Sequence, residues 1–470
     1  MMWNFKQYTD NVAAISDQGE SVTYQQLEIA TERLIENIKE RCLVFSICTN
    51  SVGSVVGYTG FINHKIVPLL LSNHLDLELL QYLVDTYKPS YLWIPENMIE
   101  KFSGFKAVYS DFNYTLMKTN FTESYPLFDD LALLMNTSGS TGSPKLVRQS
   151  YINIEANTQS IVEYLELDET ERPITTLPLN YVYGLSIVNS HLYVGATLIL
   201  TDKSLMEKGF WSFFKEQQAT SFGGVPYIYE MLDKLRFSRM GLTSLRTMTQ
   251  AGGKLSPELH KKFAEYAKET GKHFVVMYGA AEATSRMSYL PYEKSLEKYG
   301  SMGIAIPRGK FSLIDVVGHE ITGSDVTGEL EYEGPNVTLG YAECGDDLIK
   351  GDERLGKLIT GDMAKIDKDG YYYIVGRKKR FLKIFGNRVN LDETERMIKT
   401  QFNNLDCACA GVDDKMYVFI TDKTDSDEIR KFISNKMSLN RVAFKVKVVD
   451  EVPKNESGKT LYLKLEQYYD

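Results

Sequence analysis

A short run of glycines, hydroxyl residues and one lysine carries the strongest chemical signal in the sequence. It extends from Thr137 to Lys145 and reads Thr-Ser-Gly-Ser-Thr-Gly-Ser-Pro-Lys. Glycine lets the backbone approach an anion closely, hydroxyl groups donate hydrogen bonds to it, and lysine adds positive charge. The spacing Gly-x-x-Gly-x-x-Lys, with Pro144 before the lysine, does not match the Walker A pattern. The run therefore predicts a loop that cradles a polyphosphate, in preference to a flexible connector.

Two elements must position this loop. The apolar run 131–135 before it predicts a buried strand, and the helical spacing of 151–165 after it predicts a helix. Short apolar runs alternate with segments of helical spacing elsewhere in the chain, which predicts α/β architecture with layered sheets. The other predicted strands are 43–47, 91–94, 197–200 and 274–277, and the other predicted helices are 23–40 and 257–270.

A second chemical segment, Tyr-Gly-Ala-Ala-Glu, occupies residues 278–282 directly after a predicted strand. Ligands of α/β sheets usually bind at the carboxyl ends of the strands, so Tyr278 and Glu282 are expected at such an edge. The glutamate carboxylate suits a hard cation that bridges phosphate oxygens. Taken alone, this pentapeptide is also compatible with an ordinary surface turn.

Five segments in this order resemble the adenylate-forming superfamily, which comprises acyl-CoA synthetases, peptide-synthetase adenylation domains and luciferases. They are 137–145, 278–282, 360–362 (Thr-Gly-Asp), 376–388 and the lysine-containing loop 453–459. The resemblance covers the chain from Thr137 onward, and the residues before Thr137 add no motif. It implies a large N-terminal α/β domain and a small α+β C-terminal domain joined by a hinge.

The resemblance also implies an ATP site. Tyr278 would stack on adenine, Asp362 would accept hydrogen bonds from the ribose hydroxyls, and Arg377 would reach the ribose or the phosphates. Glu282 would hold Mg²⁺, and Thr141 would contact the metal or the phosphates. The full implied ATP-binding set is Thr137, Ser138, Gly139, Ser140, Thr141, Gly142, Lys145, Gly253, Tyr278, Gly279, Ala280, Ala281, Asp362 and Arg377. Turn, cap and loop roles are the alternatives for Asp362 and Gly253.

Two lysines are the implied catalytic residues. Lys459, in Glu-Ser-Gly-Lys, would enter the site for acyl-adenylate formation, and Lys383 would belong to the opposite face of the same small module. The resemblance implies that this module rotates between two reaction steps, with Lys379 at the hinge. An exposed, inert lysine is the alternative for Lys459. For the basic run 377–380, the alternatives are a solvated face and a nuclear-targeting patch.

The acid pocket is expected between two further segments. Residues 177–185 resemble the pocket motif, with Tyr181 where many relatives have histidine or another aromatic residue, and Gly224 lies in the expected second wall. Core packing is the alternative for both residues. The aspartate by which amino-acid-activating domains pair the substrate ammonium is missing, and an unpaired ammonium in a pocket is costly. An acid without an α-amino group is therefore favoured.

The implied reaction is attack of a carboxylate on the α-phosphorus of ATP, followed by attack of a thiol on the acyl-adenylate with release of AMP. A carboxylic acid is already ionised at neutral pH, so no general base is required. No G-x-S-x-G elbow supports a hydrolase. Three functions stay open: an acyl–CoA ligase, a ligase that loads an acid or amino acid onto a carrier-protein phosphopantetheine thiol, and a nucleotide-binding homologue without catalysis. Ala281, where the family usually has threonine, motivates the third.

Composition limits the other classes. The chain has 470 residues with 53 basic and 62 acidic side chains, a net charge of −9, which argues against a dedicated nucleic-acid binder. No apolar run approaches the ~20 residues of a membrane span, and the N-terminus lacks a secretory apolar region. The five cysteines predict reduced thiols. We therefore expect a cytoplasmic protein.

The charge balance changes near Gly376. Residues 1–376 contain 34 basic and 47 acidic residues, whereas residues 377–470 contain 19 and 15. The change predicts a large acidic module over 1–376 and a small, mildly basic one over 377–470. The resemblance implies that the first is the ATP- and acid-binding domain and that the second is a mobile domain carrying the catalytic lysine. The basic excess of the smaller domain would suit CoA phosphates or an acidic carrier protein equally.

Overall fold

The computed structural model describes residues 2–136, 145–315, 317–385, 387–402, 405–421, 426–437, 439–454 and 460–469. These residues form two compact units. The first contains 2–136, 145–310 and 333–358, and the second contains the described residues of 311–332 and 359–469. The predicted C-terminal domain over 377–470 lies within the second unit, and both its boundary at Gly376 and its hinge at Lys379 stay predictions.

Ten α-helices lie within the described ranges. They are α1 (Tyr24–Ile35), α2 (Val52–Asn63), α3 (Leu77–Tyr87), α4 (Tyr151–Leu165), α5 (Val182–Tyr193), α6 (Lys208–Glu216), α7 (Pro226–Lys234), α8 (Pro257–Glu269), α9 (Leu391–Gln401) and α10 (Ser426–Met437). None of these helices combines the length and the apolar character that crossing a membrane requires.

The strands of the first 290 residues are β1 (Val12–Ser16), β2 (Ser21–Thr23), β3 (Leu43–Cys48), β4 (Val67–Ser72), β5 (Tyr91–Pro95), β6 (Lys106–Asp111), β7 (Tyr114–Lys118), β8 (Leu131–Asn136), β9 (Leu146–Ser150), β10 (Leu198–Leu200), β11 (Ser221–Gly224), β12 (Thr247–Gln250), β13 (His273–Gly279) and β14 (Arg286–Tyr289). The later strands are β15 (Ile304–Ala305), β16 (Lys310–Ile314), β17 (Thr327–Glu333), β18 (Gly340–Ala342), β19 (Lys357–Ile366), β20 (Tyr372–Arg377), β21 (Phe381–Ile384), β22 (Asn387–Asn390), β23 (Cys407–Val412), β24 (Lys415–Ile420) and β25 (Phe444–Val448).

An eight-stranded sheet forms the centre of the first unit, in the order β18-β9-β8-β4-β3-β5-β7-β6. The inner pairs β3/β4, β3/β5 and β4/β8 are parallel. Val44 packs in a cluster with α1 and α2, whereas its neighbour Phe45 packs in a different cluster with α3. Both faces of β3 are therefore buried, which explains its continuous apolar sequence.

A five-stranded sheet, β11-β12-β13-β14-β15, supplies the edge that matters for the site. Strands β11, β12 and β13 are parallel in register. Their carboxyl ends carry Gly224, Gln250 and the Tyr278–Gly279 pair, so these residues reach the same edge. A smaller sheet, β10-β1-β2, completes the first unit.

The second unit is described by itself. Strands β16, β17, β19 and β20 form one sheet, and β23, β24 and β25 form another beside the hairpin β21–β22. A hairpin turn joins β19 and β20, where the Asp367 N–H donates to the Tyr371 carbonyl and Gly370 has a φ of 86°. Helices α9 and α10 pack against the C-terminal sheet in one apolar cluster.

The predicted α/β class is confirmed, and local capping chemistry explains several boundaries. Helix α4 matches the predicted helix 151–165, with Ser150 and Asn153 forming a reciprocal capping box. Helix α8 begins at Pro257 as predicted, because the Ser256 hydroxyl accepts a hydrogen bond from the N–H of Leu259. Helix α1 ends at Ile35, before the predicted end at residue 40.

Candidate functional site

The segment 278–282 lies at the carboxyl end of β13, as the sequence predicts. Strand β13 ends at Gly279, a 3₁₀ turn covers Ala281–Ala283, and the chain returns antiparallel in β14, with Gly279 opposite Arg286. A Cβ atom on Gly279 would lie 1.8 Å from the carbonyl oxygen of Ser285. Only glycine fits this close backbone approach. The tight return holds Glu282 just beyond the strand end.

Glu282 is fixed by contacts from the chain around β18. Its carboxylate accepts a hydrogen bond of 2.6 Å from the Tyr341 hydroxyl. Its carbonyl oxygen accepts hydrogen bonds from the Thr338 N–H at 3.0 Å and from Arg354 Nη1 at 3.1 Å. Burial, and secondly the charge of Glu282, raise the pKa of Tyr341 to about 12. The phenol therefore stays protonated and donates to the carboxylate at neutral pH.

Tyr341 also brings Lys145 to the same place. The Lys145 Nζ lies 6.0 Å from the centroid of the Tyr341 ring, and the Arg354 guanidinium carbon lies 4.6 Å from it. Lys145 directly precedes β9, whose Val147 pairs with Tyr341 in β18. The sheet register therefore joins the lysine that ends the phosphate-loop motif to the glutamate of the second motif. We call Lys145, Glu282, Tyr341 and Arg354 the tyrosine-centred cluster.

Lys145 forms an ion pair with Glu343 at 2.5 Å, and the two side chains are 44% and 55% exposed. Exposed ion pairs contribute only about 0–1 kcal/mol. An anionic ligand that offers a better geometry, such as a phosphate group, can therefore replace Glu343 as the partner of Lys145 at little cost.

Glu282 offers a carboxylate to a metal ion at this end of β13. No cluster of three or more histidine, cysteine, aspartate or glutamate side chains occurs among the described residues. Glu282 is instead a single carboxylate, held by one hydrogen bond on Oε1. Mg²⁺ is commonly held by one or two carboxylates together with substrate phosphates and water. The residues present fit a Mg²⁺ ion that arrives with a nucleotide.

The two predicted walls of the acid pocket meet in the first unit. A Cβ atom on Gly252 would lie 2.5 Å from the hydroxyl oxygen of Tyr181. A Cβ atom on Gly253 would lie 3.1 Å from Cγ of Pro226, two residues beyond Gly224. Burial raises the pKa of Tyr181 to about 12, so its hydroxyl is neutral. The structure therefore brings together residues predicted from separate segments.

In the second unit, Asp362 and Arg377 are paired across β19 and β20. The Asp362 carboxylate lies 3.3 Å from Nε of Arg377, whose side chain is 67% exposed. Lys383 is exposed on β21, where its N–H donates to the Asp413 carboxylate at 2.8 Å. The predicted pairing partners for ribose are therefore adjacent to each other, whereas Lys383 lies on a separate hairpin.

Several predicted site residues lie outside the described residues. They are Thr137, Ser138, Gly139, Ser140, Thr141, Gly142 and Lys459. Sequence reasoning missed Tyr341 and Arg354, which contact Glu282 from more than 50 positions away in the chain. No local spacing pattern marks these two residues, because their role depends on the pairing of β9 with β18.

The chain is similar to proteins of known class. Residues 2–342 match the family described as AMP-binding enzyme. The peroxisomal OPC-8:0-CoA ligase 1 of Arabidopsis thaliana is 31% identical over 71% of this chain and 63% of its own length. The long-chain-fatty-acid–CoA ligase of Bacillus subtilis is 27% identical over 83% of this chain and 73% of its own length. The chain thus spans less than two thirds of the first of these relatives.

Solved structures share the fold along the whole chain. ATP-bound MatB from Rhodopseudomonas palustris matches with a TM-score of 0.79 and 22% identity, covering 99% of this chain and 98% of that one. O-succinylbenzoate coenzyme A synthetase from Bacillus subtilis, in complex with ATP and magnesium ion, matches with a TM-score of 0.79 and 20% identity, covering 98% of both chains. Both matches extend over the two units of this chain.

Proposed function

Because the chain belongs to the AMP-binding enzyme family, we propose that it is an ATP-dependent acid–thiol ligase. The proposed reaction forms an acyl-adenylate and pyrophosphate from ATP and a carboxylic acid, and then transfers the acyl group to a thiol with release of AMP. The observation that carries this proposal is the tyrosine-centred cluster, which joins Lys145 and Glu282 at the carboxyl end of β13. The two relatives named above are CoA ligases, which supports the same class.

The first step poses an electrostatic problem, because an anionic carboxylate must approach the anionic α-phosphate. Fixed positive charge and hydrogen-bond donors lower this barrier by stabilising charge that develops on the phosphate oxygens. We assign Lys145 and Lys459 to this task, with the Thr141 hydroxyl as a donor. Arg354 also adds positive charge beside Glu282, since it lies on the Tyr341 ring.

Glu282 is the proposed residue for Mg²⁺, with the Tyr341 hydroxyl orienting its carboxylate. When bound, Mg²⁺ would neutralise charge on the phosphate oxygens. The ATP-and-magnesium complex of the Bacillus subtilis synthetase is consistent with this assignment. Tyr278, at the end of β13, is proposed to stack on adenine, and the paired Asp362 and Arg377 are proposed to contact the ribose.

The acceptor is proposed to be the thiol of CoA. The named relatives are CoA ligases. A carrier-protein phosphopantetheine thiol is the second candidate, and the excess of 19 basic over 15 acidic residues in 377–470 is compatible with either acceptor. Lys383, which lies exposed on the β21–β22 hairpin, is assigned to the thiol step on the basis of the family resemblance.

A nucleotide-binding homologue without catalysis is the competing function. Ala281 lacks the hydroxyl that the family usually provides at this position. The neighbouring Thr284 does not supply a replacement, because its hydroxyl donates to the carbonyl of Asn336 at 2.7 Å. Acid-dependent ATP–pyrophosphate exchange separates the two functions, since a homologue that only binds nucleotide produces no exchange.

The test is exchange of labelled pyrophosphate into ATP over a panel of carboxylic acids, with AMP release measured on addition of CoA or candidate carrier proteins. Lys459→Ala is expected to abolish exchange without unfolding the protein. Lys383→Ala is expected to reduce AMP release more than exchange. Lys431→Ala, an exposed lysine in α10, is the matched control and should change neither.

Each outcome decides one assignment. Exchange that persists at the wild-type rate in Lys459→Ala would remove that lysine from the first step. Equal loss of exchange and thioester formation in Lys383→Ala would contradict its assignment to the thiol step. Hydrolysis of ATP only between its outer phosphates would refute the proposed ligase as a whole.

A further inference from the structure

Arg286, the first residue of β14, is buried without a carboxylate partner among the described residues. Only 2% of this residue is exposed. Two other arginines with little exposure among the described residues have acidic partners: the buried Arg148 forms an ion pair with Glu353, and the partly buried Arg380 forms ion pairs with Asp392 and Glu395. A buried charge without a partner costs several kcal/mol. Packing alone therefore does not explain why the charged Arg286 side chain is buried.

The groups around the Arg286 guanidinium are neutral. Nε donates to the Ser186 hydroxyl at 3.1 Å, and Nη1 donates to the Tyr164 hydroxyl at 3.0 Å and to the Met277 sulfur at 3.2 Å. The Tyr183 ring centroid lies 5.2 Å from the guanidinium carbon. Burial raises the pKa of Tyr164 and of Tyr183, so neither phenol is ionised at neutral pH. These contacts orient the cation but leave its charge uncompensated.

The nearby histidine does not alter this balance. Burial, and also the charge of Arg286, lower the pKa of His191 to about 4. His191 is therefore neutral at physiological pH, and it adds neither an anion nor a second cation. Among the described residues, Nη2 of Arg286 has no hydrogen-bond acceptor, so two N–H groups stay available to a ligand.

Arg286 lies beside the proposed acid pocket. Its contacts Tyr183 and Met277 belong to one hydrophobic cluster with Val225, and Tyr181 packs against the same cluster. Tyr181 is a predicted wall of the pocket, and Val225 follows Gly224 in the other wall. A ligand that enters between these walls would approach the guanidinium.

The side-chain contacts of Arg286 differ from those of Glu282 at the phosphate end of the site. The residues that contact Glu282 are Thr338, Tyr341 and Arg354. None of them is among the residues that contact the Arg286 guanidinium, which come from α4, α5 and β13. Because its contacts Tyr183 and Met277 belong to the cluster beside the acid pocket, the guanidinium is suited to a group of the acid other than the carboxylate that reacts with ATP.

We propose that Arg286 binds a second anionic group of the acid substrate, so that the enzyme activates diacids in preference to simple monocarboxylic acids. The inference rests on the proposed function, because it assigns the substrate class of the same site. A guanidinium recognises a carboxylate by charge-assisted hydrogen bonds, and a buried cation discriminates strongly against a neutral group of the same shape.

The experiment compares diacids with their monoamides, which match them in size but lack the second charge. The probes are the straight-chain diacids from malonic to azelaic acid, and terephthalic acid. Pyrophosphate exchange gives kcat/KM, and thermal unfolding with each acid gives binding without catalysis. For at least one length, the wild type is expected to prefer the diacid about 10–100-fold in kcat/KM and to show the larger increase in Tm.

Two variants of Arg286 and one control variant test whether the diacid preference depends on this side chain. Arg286→Met should reduce the diacid preference to within about threefold while activity with the monoamide is retained. Arg286→Lys keeps a charge and should retain part of the preference. Arg246→Met, a half-exposed arginine that pairs with Glu171, is the control and should keep the full preference.

Failure of this inference differs from failure of the proposed function. Exchange without any preference for a diacid would overturn the inference and leave the ligase function intact. Equal loss of diacid and monoamide activity in Arg286→Met would also overturn the inference. A diacid-specific increase in Tm that Arg286→Met removes, without exchange for any acid, would support Arg286 as the anion site and refute the ligase function. No diacid preference in either assay overturns the inference.

Discussion

Removing the hydroxyl of Tyr341 tests the geometry of the proposed metal site directly. Tyr341→Phe keeps the ring between Lys145 and Arg354 but deletes the 2.6 Å hydrogen bond to Glu282. Hydrogen bonds to charged groups contribute about 1.5–3 kcal/mol, and losing a group that orients a metal ligand typically weakens metal binding about 10–100-fold. We therefore expect the Mg²⁺ concentration for half-maximal pyrophosphate exchange to rise at least about tenfold, equivalent to about 1.4 kcal/mol.

The chain offers a matched control. Tyr109 donates to the Asp111 carboxylate at 2.9 Å on β6, and its pKa is raised to about 12, first by burial and then by Asp111. Tyr109→Phe thus removes a similar phenol–carboxylate hydrogen bond outside the tyrosine-centred cluster. It should leave the Mg²⁺ dependence of exchange unchanged, whatever its effect on unfolding.

The assay titrates Mg²⁺ at fixed ATP and acid concentrations, with the free energy of unfolding of each variant measured in urea. Equal Mg²⁺ dependence in the wild type and in Tyr341→Phe would refute the orienting role of the tyrosine. An equal change in both tyrosine variants would assign the effect to general destabilisation.

Two further predictions concern stability. Gly279→Ala places Cβ 1.8 Å from the Ser285 carbonyl oxygen, so we expect the free energy of unfolding in urea to fall by about 1–3 kcal/mol and ATP binding to be lost. Gly104 has open space around it, and Gly104→Ala should change the free energy of unfolding by less than about 0.5 kcal/mol. Equal behaviour of the two variants would contradict the close approach. Nδ1 of His260 accepts the Gly300 N–H at 3.0 Å, and burial lowers its pKa to about 4. Between pH 7 and pH 5, His260 takes up a proton in the unfolded chain but stays neutral in the folded one. The free energy of unfolding of the wild type should therefore fall by about 2 kcal/mol more over this range than that of His260→Gln. Parallel pH profiles for the two proteins would contradict this account.

Much of the fold could be predicted because its signals are local. The strand β8 and the helix α4 on either side of the phosphate-loop motif follow from an apolar run and from Ser150 as the N-cap. The predicted end of α1 was wrong because helical spacing continues beyond Ile35, whereas the chain turns there and buries Ile38 in the core. Tertiary packing decided that boundary.

Some residues of the candidate site could be predicted from local sequence, and others could be found only in the structure. Glycine, hydroxyl and basic residues at fixed spacing indicated Lys145, and the segment 278–282 after an apolar run indicated Tyr278 and Glu282, since each of these signals lies within a few residues of sequence. The partners of Glu282 come from distant segments: Tyr341 lies in β18, which pairs with β9, and its hydroxyl reaches the Glu282 carboxylate only in the folded chain.

The sequence by itself determined the α/β class, the family resemblance and the segments that carry the chemistry, because hydrophobic periodicity, capping residues and motif spacing act over a few residues. Only the tertiary structure decided which charges are compensated. The buried Arg148 has an acidic partner and the buried Arg286 has none among the described residues, yet both read as single arginines in strand-like segments. The energy of a buried charge depends on what folding brings around it, and that neighbourhood is assembled from residues far apart in the chain.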